Sequence, residues 1–196
     1  GEPMTRADFL KVLDFCGEDI SLRTDGLALA DRGVVEALMS RGVRRVCIPI
    51  YSIRPDAHDW LFGLPGAGRR ALKAIRICVE AGLQVHVEFI PTRPTAGLML
   101  ETVGVLGRLG VHTLWVVRPR VDWMDANDPI ALTPRMGLLE PELKTAAAAA
   151  VRLGLRVHWV GFSSCSISGL NDDRWTDIWT NVEGEVQFKG EQGVTC

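Results

Sequence analysis

Residues 67–90, AGRRALKAIRICVEAGLQVHVEFI, decide the fold: a helical pattern stops at Gly82-Leu83 and the β-rich run QVHVEFI follows at once. A glycine just past a helix takes the left-handed conformation that satisfies the last carbonyls, and the chain passes straight into a strand. The same joint stands at Gly42-Val43 before RRVCIPI, at Gly110-Val111 before HTLWVV and at Gly154-Leu155 before RVHWV. A further unit precedes these, with a helix at about 6–16, a strand at about 19–23 and a helix at about 31–40. Strands alternating with helices predict βαβ units and a parallel sheet, so the fold class is α/β. The units recur at roughly 25–45 residues, close to the roughly 30 of a (β/α)8 barrel. No GxGxxG turn follows the first strand. A partial TIM-type barrel is therefore preferred, with a doubly wound sheet left open. About five strands can be counted where a closed barrel takes about eight, which predicts open sheet edges.

The two kinds of loop are unequal. Those entering strands are short and glycine-based. Those leaving strands are longer and polar: TDG at 24–26, YSIRPDAHD at 51–59, PTRPT at 91–95, RPRVDWMDAND at 118–128 and FSSCSISG at 162–169. Parallel α/β sheets carry their active sites at the C-terminal ends of the strands, so this asymmetry favours an enzyme over a structural module.

Composition narrows the partners. The chain has 196 residues, 47% of them hydrophobic, enough for one sizeable core. Its 22 basic and 24 acidic residues are scattered, for a net charge of −2, which leaves no footprint for nucleic acid or an anionic membrane. A small molecule, a peptide or a protein is the expected substrate. No stretch approaches the roughly 18–20 apolar residues of a membrane span, and the start has no signal-peptide character, so a cytoplasmic location is expected. The five cysteines, Cys16, Cys47, Cys78, Cys165 and Cys196, are odd in number and form no CxxC pair, against a disulfide framework or a self-contained zinc site. Cys16, Cys47 and Cys78 fall in apolar patterns and read as small hydrophobes.

Several short motifs stand in a telling order: GEP at 1–3 before TRADFLKVL, LRTDG at 22–26, VCIPIYS at 46–52, HDWLFGLPGAG at 58–68, a helix ending in EAG, a strand closing on Thr92-Arg93, and VVRPR at 116–120. Together they resemble the radical S-adenosylmethionine superfamily over about residues 1–160; each is weak alone, and the order makes the match specific. The resemblance places the family's CxxxCxxC loop, whose thiolates hold a 4Fe-4S cluster, upstream of Gly1. It implies reductive cleavage of S-adenosylmethionine to a 5′-deoxyadenosyl radical that takes a hydrogen atom from substrate, with an external electron donor. On this reading residues 1–160 are a partial barrel, inactive by itself.

The same resemblance assigns cofactor contacts. Gly1, Glu2 and Pro3 would meet the amino group of S-adenosylmethionine, largely through backbone acceptors. Thr24, Asp25 and Ser52 would meet its methionyl or ribose part, and Arg93 its carboxylate. Asp25 stands where the family commonly has Asn, and Pro49 where a Ser is frequent. Thr-Asp-Gly is also ordinary turn chemistry, so a purely structural role stays open.

In VHVEF, strand alternation puts His86 and Glu88 on one side and Val85, Val87 and Phe89 on the other. If the apolar set packs on helices, His86, Glu88 and, on a later strand, His158 face the lumen as substrate-side candidates; a hydrogen-bonded structural pair or a solvated edge and, more remotely, an HxE metal site are the alternatives. His58-Asp59 suits capping at the start of a helix, and KTAAAAAVRLG at 144–154 is a packing helix. Residues 161–196 resemble the opening of a SPASM or twitch extension. That implies Cys165 and Cys196 as ligands of an auxiliary Fe-S cluster, although Lys189 stands where that extension commonly has Cys; isolated thiols are the alternative. A non-catalytic peptide- or substrate-binding barrel and a cluster-free α/β-barrel lyase or isomerase remain the competing functions.

Overall fold

The computed structural model describes residues 2–119, 129–162, 167 and 170. Five strands, β1 (Ile20–Arg23), β2 (Val43–Ile50), β3 (Gln84–Phe89), β4 (Thr113–Val117) and β5 (Arg156–Val160), form one sheet in the order β1-β2-β3-β4-β5. Every pairing is parallel. The helices are α1 (Phe9–Leu13), α2 (Arg32–Met39), α3 (Pro55–Phe62), α4 (Ala67–Glu80), α5 (Met99–Arg108), α6 (Pro129–Leu132) and α7 (Met136–Arg152). A parallel strand order that never reverses keeps the helices on one face when the crossovers share the usual right hand. That settles the choice left open by the sequence: the sheet is a segment of a barrel with open edges, not a doubly wound sheet with a switch point.

The joints work as their sequence implies. Gly42, Gly82, Gly110 and Gly154 have φ of 89°, 87°, 80° and 66°. After three of them the next residue donates its amide to a carbonyl five residues back: Leu83 to Cys78 at 3.0 Å, Val111 to Leu106 at 3.1 Å and Leu155 to Ala150 at 3.0 Å. This is the Schellman closure, which explains the apolar partner of each glycine: Val43, Leu83, Val111 and Leu155 are all buried.

One face of the sheet is the core. Val46, Ile48, Ile50, Val85, Val87, Phe89, Leu114 and Val116 are fully buried, and α2 and α4 pack behind β2 and β3 while α7 packs behind β5. The opposite face is polar. Register puts Arg23 beside Cys47, Cys47 beside His86, Pro49 beside Glu88, Glu88 beside Trp115, and Trp115 beside His158.

Three expectations change. The first helix is not continuous over 6–16: a 3-10 turn at Pro3–Thr5 ends on Arg6 in extended conformation, and α1 covers only Phe9–Leu13. Cys16 therefore lies beyond the helix and is exposed, while Cys47 and Cys78 are buried as expected. The helix expected to start at His58-Asp59 starts at Pro55, and a second begins at Ala67 after a break marked by left-handed Gly63 and Gly66. Gly1, most of the loop at 118–128, Cys165, Cys196 and nearly all of the 161–196 extension lie outside the described residues. Among the described residues no helix is long and apolar enough to cross a membrane.

Candidate functional site

The rim of the sheet is built around Glu2. Its Oε1 accepts hydrogen bonds from the Thr24 hydroxyl at 2.8 Å and the Met4 amide at 3.0 Å, and its Oε2 accepts from the Asp25 amide at 2.6 Å. The segment before α1 is thereby tied to the turn after β1. The Glu2 carbonyl accepts from the Thr5 hydroxyl at 2.8 Å and the Thr5 amide at 3.3 Å, and the Pro3 carbonyl from the Arg6 amide at 3.2 Å. What Glu2 offers is thus a side-chain clamp more than a free backbone acceptor. Thr24 is buried; its hydroxyl donates to Glu2 and accepts from the Gly26 amide at 3.2 Å. Asp25 is different. Its Oδ1 accepts from the Leu27 amide at 2.9 Å, yet burial, reinforced by the repulsion of Glu2, raises its carboxyl above the ordinary range against the opposing pull of that amide and Arg70. A cation placed there would relieve both costs.

The next strand end rests on the HDxxxGxPGxG stretch. His58, 1% exposed, accepts the Tyr51 amide on Nδ1 at 3.3 Å and stacks on Phe62 with centroids 5.5 Å apart. Burial lowers its pKa, so it supports the loop as a neutral ring. Ser52 is buried and its hydroxyl accepts from the Arg54 amide at 3.0 Å. Asp59 does cap a helix, but not its own: its carboxylate accepts the Gly66 and Gly68 amides at the start of α4, bonds that hold its pKa down. Gly68 is there because a Cβ would come within 2.8 Å of Pro55 Cα. The stretch is a device that seats α3 against α4 and sets the height of the β2 loop. After β3, Thr92 and Thr95 share a hydroxyl–hydroxyl bond at 2.9 Å. Arg93 turns its guanidinium toward the Ile130 and Thr133 carbonyls, at 3.3 and 3.4 Å, so it fastens the 130–133 segment.

On the polar face Arg23 and Glu88 form a bidentate pair, Nε to Oε1 at 2.9 Å and Nη2 to Oε2 at 2.7 Å. The Cys47 thiol donates to Glu88 Oε1 at 3.4 Å; burial, with the carboxylate beside it, pushes the thiol pKa far up and keeps it protonated. The sequence pointed to Glu88 but not to Arg23; the available signal was an arginine at an inward-facing position directly before the TDG turn. Toward β5 lie His86, Trp115 and His158, with centroids 5.7 Å apart for His86–Trp115 and 6.5 Å for Trp115–His158. Among the described residues no group of three or more His, Cys, Asp and Glu side chains is placed to hold a metal ion.

His86 Nδ1 is buried without a hydrogen-bond partner. Burial first, then the nearby positive groups His112, Arg156, Arg45 and His158, push its pKa down from 6.5 to about 4. Between these values the unfolded chain binds a proton that the folded chain refuses, so His86 adds stability above pH 6.5 that is lost as pH falls toward about 4. Urea midpoints measured at pH 7 and pH 5 should differ less in His86→Gln than in the parent; an equal difference would show that His86 is not the group responsible.

The residues present fit one part of a radical S-adenosylmethionine site and not another. The acidic, half-buried Asp25 beside Glu2 suits a cationic amino-acid ligand. The described cysteines do not suit an iron-sulfur cluster: Cys16 is exposed, Cys47 and Cys78 are buried on separate elements, and burial pushes Cys78 up to about 12.

The fold recurs in a domain of pyruvate-formate lyase-activating enzyme from Bacteroides vulgatus (TM-score 0.62, 20% identity, 82% of this chain and 95% of that one). It recurs in Streptococcus suis SuiB bound to S-adenosylmethionine (TM-score 0.65, 15% identity, 82% and 38%) and in SuiB bound to its precursor peptide SuiA (TM-score 0.64, 15% identity, 82% and 37%). The parallel sheet with its polar strand-end loops is thus the partial α/β barrel that these solved structures share. By sequence it is similar to a PqqA peptide cyclase of Gluconobacter oxydans, 23% identical over 163 residues, 82% of this chain and 45% of the relative. It is also similar to that of Granulibacter bethesdensis, 28% identical over 113 residues, 55% of this chain and 30% of the relative. The chain matches less than half the length of either. No family model matches it.

Proposed function

We propose that this chain is the core of a radical S-adenosylmethionine enzyme that modifies a peptide. The observation that carries the reading is the rim: Glu2, Thr24 and Asp25 joined at 2.6–2.8 Å at the C-terminal end of β1, with the Asp25 carboxyl half-buried beside Glu2. Similarity to PqqA peptide cyclases, and fold likeness to a protein solved with its precursor peptide, support a peptide as substrate.

When bound beside a reduced 4Fe-4S cluster supplied from outside the described residues, with an external electron donor, S-adenosylmethionine supplies a radical able to take a hydrogen atom from substrate. The chain's own residues bind and orient. Glu2 fixes the distance between the first segment and β1, Asp25 offers a carboxylate to the methionyl ammonium, and the buried His58–Ser52 loop bounds the rim at β2. His86, Glu88 and His158 form the substrate side.

Anaerobic reconstitution of the full-length protein with iron and sulfide should give a broad absorption at the violet edge of the visible spectrum. Asp25→Ala should keep that absorption while weakening S-adenosylmethionine binding by about tenfold, the loss of one charge-assisted contact. A colourless product that still turns over substrate would favour a cluster-free barrel and contradict this reading.

A further inference from the structure

The outer face of α4 carries charge that the helix itself disfavours. Its exposed residues are Arg69, Arg70, Lys73, Arg76 and the terminal Glu80, so every exposed position before the last is basic. By contrast α2 exposes Arg32 together with Glu36, and α5 exposes Glu101 together with Arg108. Two elementary effects oppose the α4 pattern. Lys73 stands four residues after Arg69, three after Arg70 and three before Arg76, spacings at which like charges meet on one helix face and repel. Arg69 and Arg70 also sit near the positive end of the helix dipole, and α4 has no acidic residue in its first turn and no basic one in its last.

Little in the fold neutralises this face. Glu80 is shared between Arg32 at 2.8 Å and Arg76 at 4.0 Å. Asp59, which feels the charge of Arg69, gives its carboxylate to the Gly66 and Gly68 amides. Arg70 donates to the Leu27 carbonyl at 3.2 Å, two residues past Asp25, so the stripe starts beside the rim and follows α4 down the outside of the barrel. Among the described residues Arg69 and Lys73 form no ion pair. A local choice that works against its own helix marks a functional surface.

The shape of the stripe selects the partner. Arg69 to Arg76 spans about 10 Å of helix axis, which an extended acidic run of about four residues covers. A stripe one helix wide falls well short of the roughly 800 Å² per partner of a stable interface between folded proteins. The net charge of −2 gives a large polyanion no general attraction, so recognition here is short-range. We propose that the outer face of α4 docks an acidic stretch of the peptide substrate, with Arg69, Lys73 and Arg76 taking its carboxylates. This rests on the peptide reading above.

The test uses the full-length protein and the fluorescence anisotropy of labelled octaglutamate, with octaglutamine as the neutral control. Octaglutamate should bind at least about tenfold more tightly, and the preference should shrink as salt rises. Arg69→Glu/Lys73→Glu should abolish the preference. Arg108→Glu/Arg152→Glu, which changes the net charge equally on other helices, should keep it. Lys73→Glu alone guards against a folding defect: it should weaken octaglutamate several-fold while raising the urea midpoint, because it sets an acid among three bases. A preference that is absent, or that falls equally in both double variants, overturns the proposal. So does an oligothymidylate that displaces octaglutamate through the same residues with higher affinity. If Arg69→Glu/Lys73→Glu spares peptide binding but slows cluster reduction by an acidic electron-carrier protein, and not by dithionite, the face belongs to the donor and the proposal is overturned. Binding needs neither cluster nor S-adenosylmethionine. An α4-dependent preference in a protein that leaves S-adenosylmethionine intact would therefore sink the proposed chemistry and leave the docking face standing.

Discussion

Replacing Gly42 by alanine is expected to cost about 2–5 kcal/mol of stability, while the same replacement at Gly82 costs about 1–2 kcal/mol. The two glycines hold the same place in the same joint, with φ of 89° and 87°, so each substitution forces a side chain into the left-handed region. Only at Gly42 is the space also taken: a Cβ there would sit 2.6 Å from the Gly17 carbonyl oxygen and 3.2 Å from Glu18 Cα, whereas at Gly82 nothing lies within 4 Å. The obstacle at Gly42 is backbone, which cannot swing aside as a side chain can. It also adjoins the bond from the Ile20 amide to the Gly42 carbonyl at 2.8 Å, the first link between β1 and β2. Urea unfolding of the two variants checks this. Equal losses would mean that the bend at 17–19 does not pack on the joint.

Arg23→Leu should lose about 1–3 kcal/mol, because it strands a buried carboxylate that was fully paired. Breaking a wholly buried pair costs about 3–5 kcal/mol; the figure here is smaller because the arginine is open to water and the Cys47 thiol remains as a donor. The second substitution Glu88→Leu should return most of the loss, since the charge left unpaired is then gone. A double-mutant cycle separates the cases. If Arg23→Leu alone were as stable as the double variant, the carboxylate would have found water or another partner, and the clamp would be weaker than its geometry implies.

Much of the architecture was legible because a local signal and a global one agree. Gly82-Leu83 needs a left-handed residue followed by an apolar contact, and only an αβ joint asks for that pair in that order. The alternation in VHVEF was equally readable: Val85, Val87 and Phe89 are fully buried behind the sheet, and His86 and Glu88 face away from them. The beginning of the chain was not legible. The pattern over 6–16 looked helical, but it could not show that Glu2 would fold back to Thr24 and Asp25, a contact across 22 residues that starts the chain in a 3-10 turn. Arg23 was missed for the same reason. Its meaning depends on Glu88, 65 residues away, and an arginine before a turn is unremarkable until a carboxylate is found across the intervening strand. His58-Asp59 lay between these cases: capping was the right chemistry, and the helix that is capped was the wrong one.

The Glu2–Thr24–Asp25 rim, on the function proposed, belongs to an enzyme that cleaves S-adenosylmethionine. The most direct measurement is the fate of S-adenosylmethionine with the full-length protein, reconstituted anaerobically and reduced with dithionite, followed by chromatography. 5′-Deoxyadenosine and methionine should form together, faster with the peptide substrate present and more slowly in Asp25→Ala. A folded protein carrying its cluster that leaves S-adenosylmethionine intact under those conditions would contradict it.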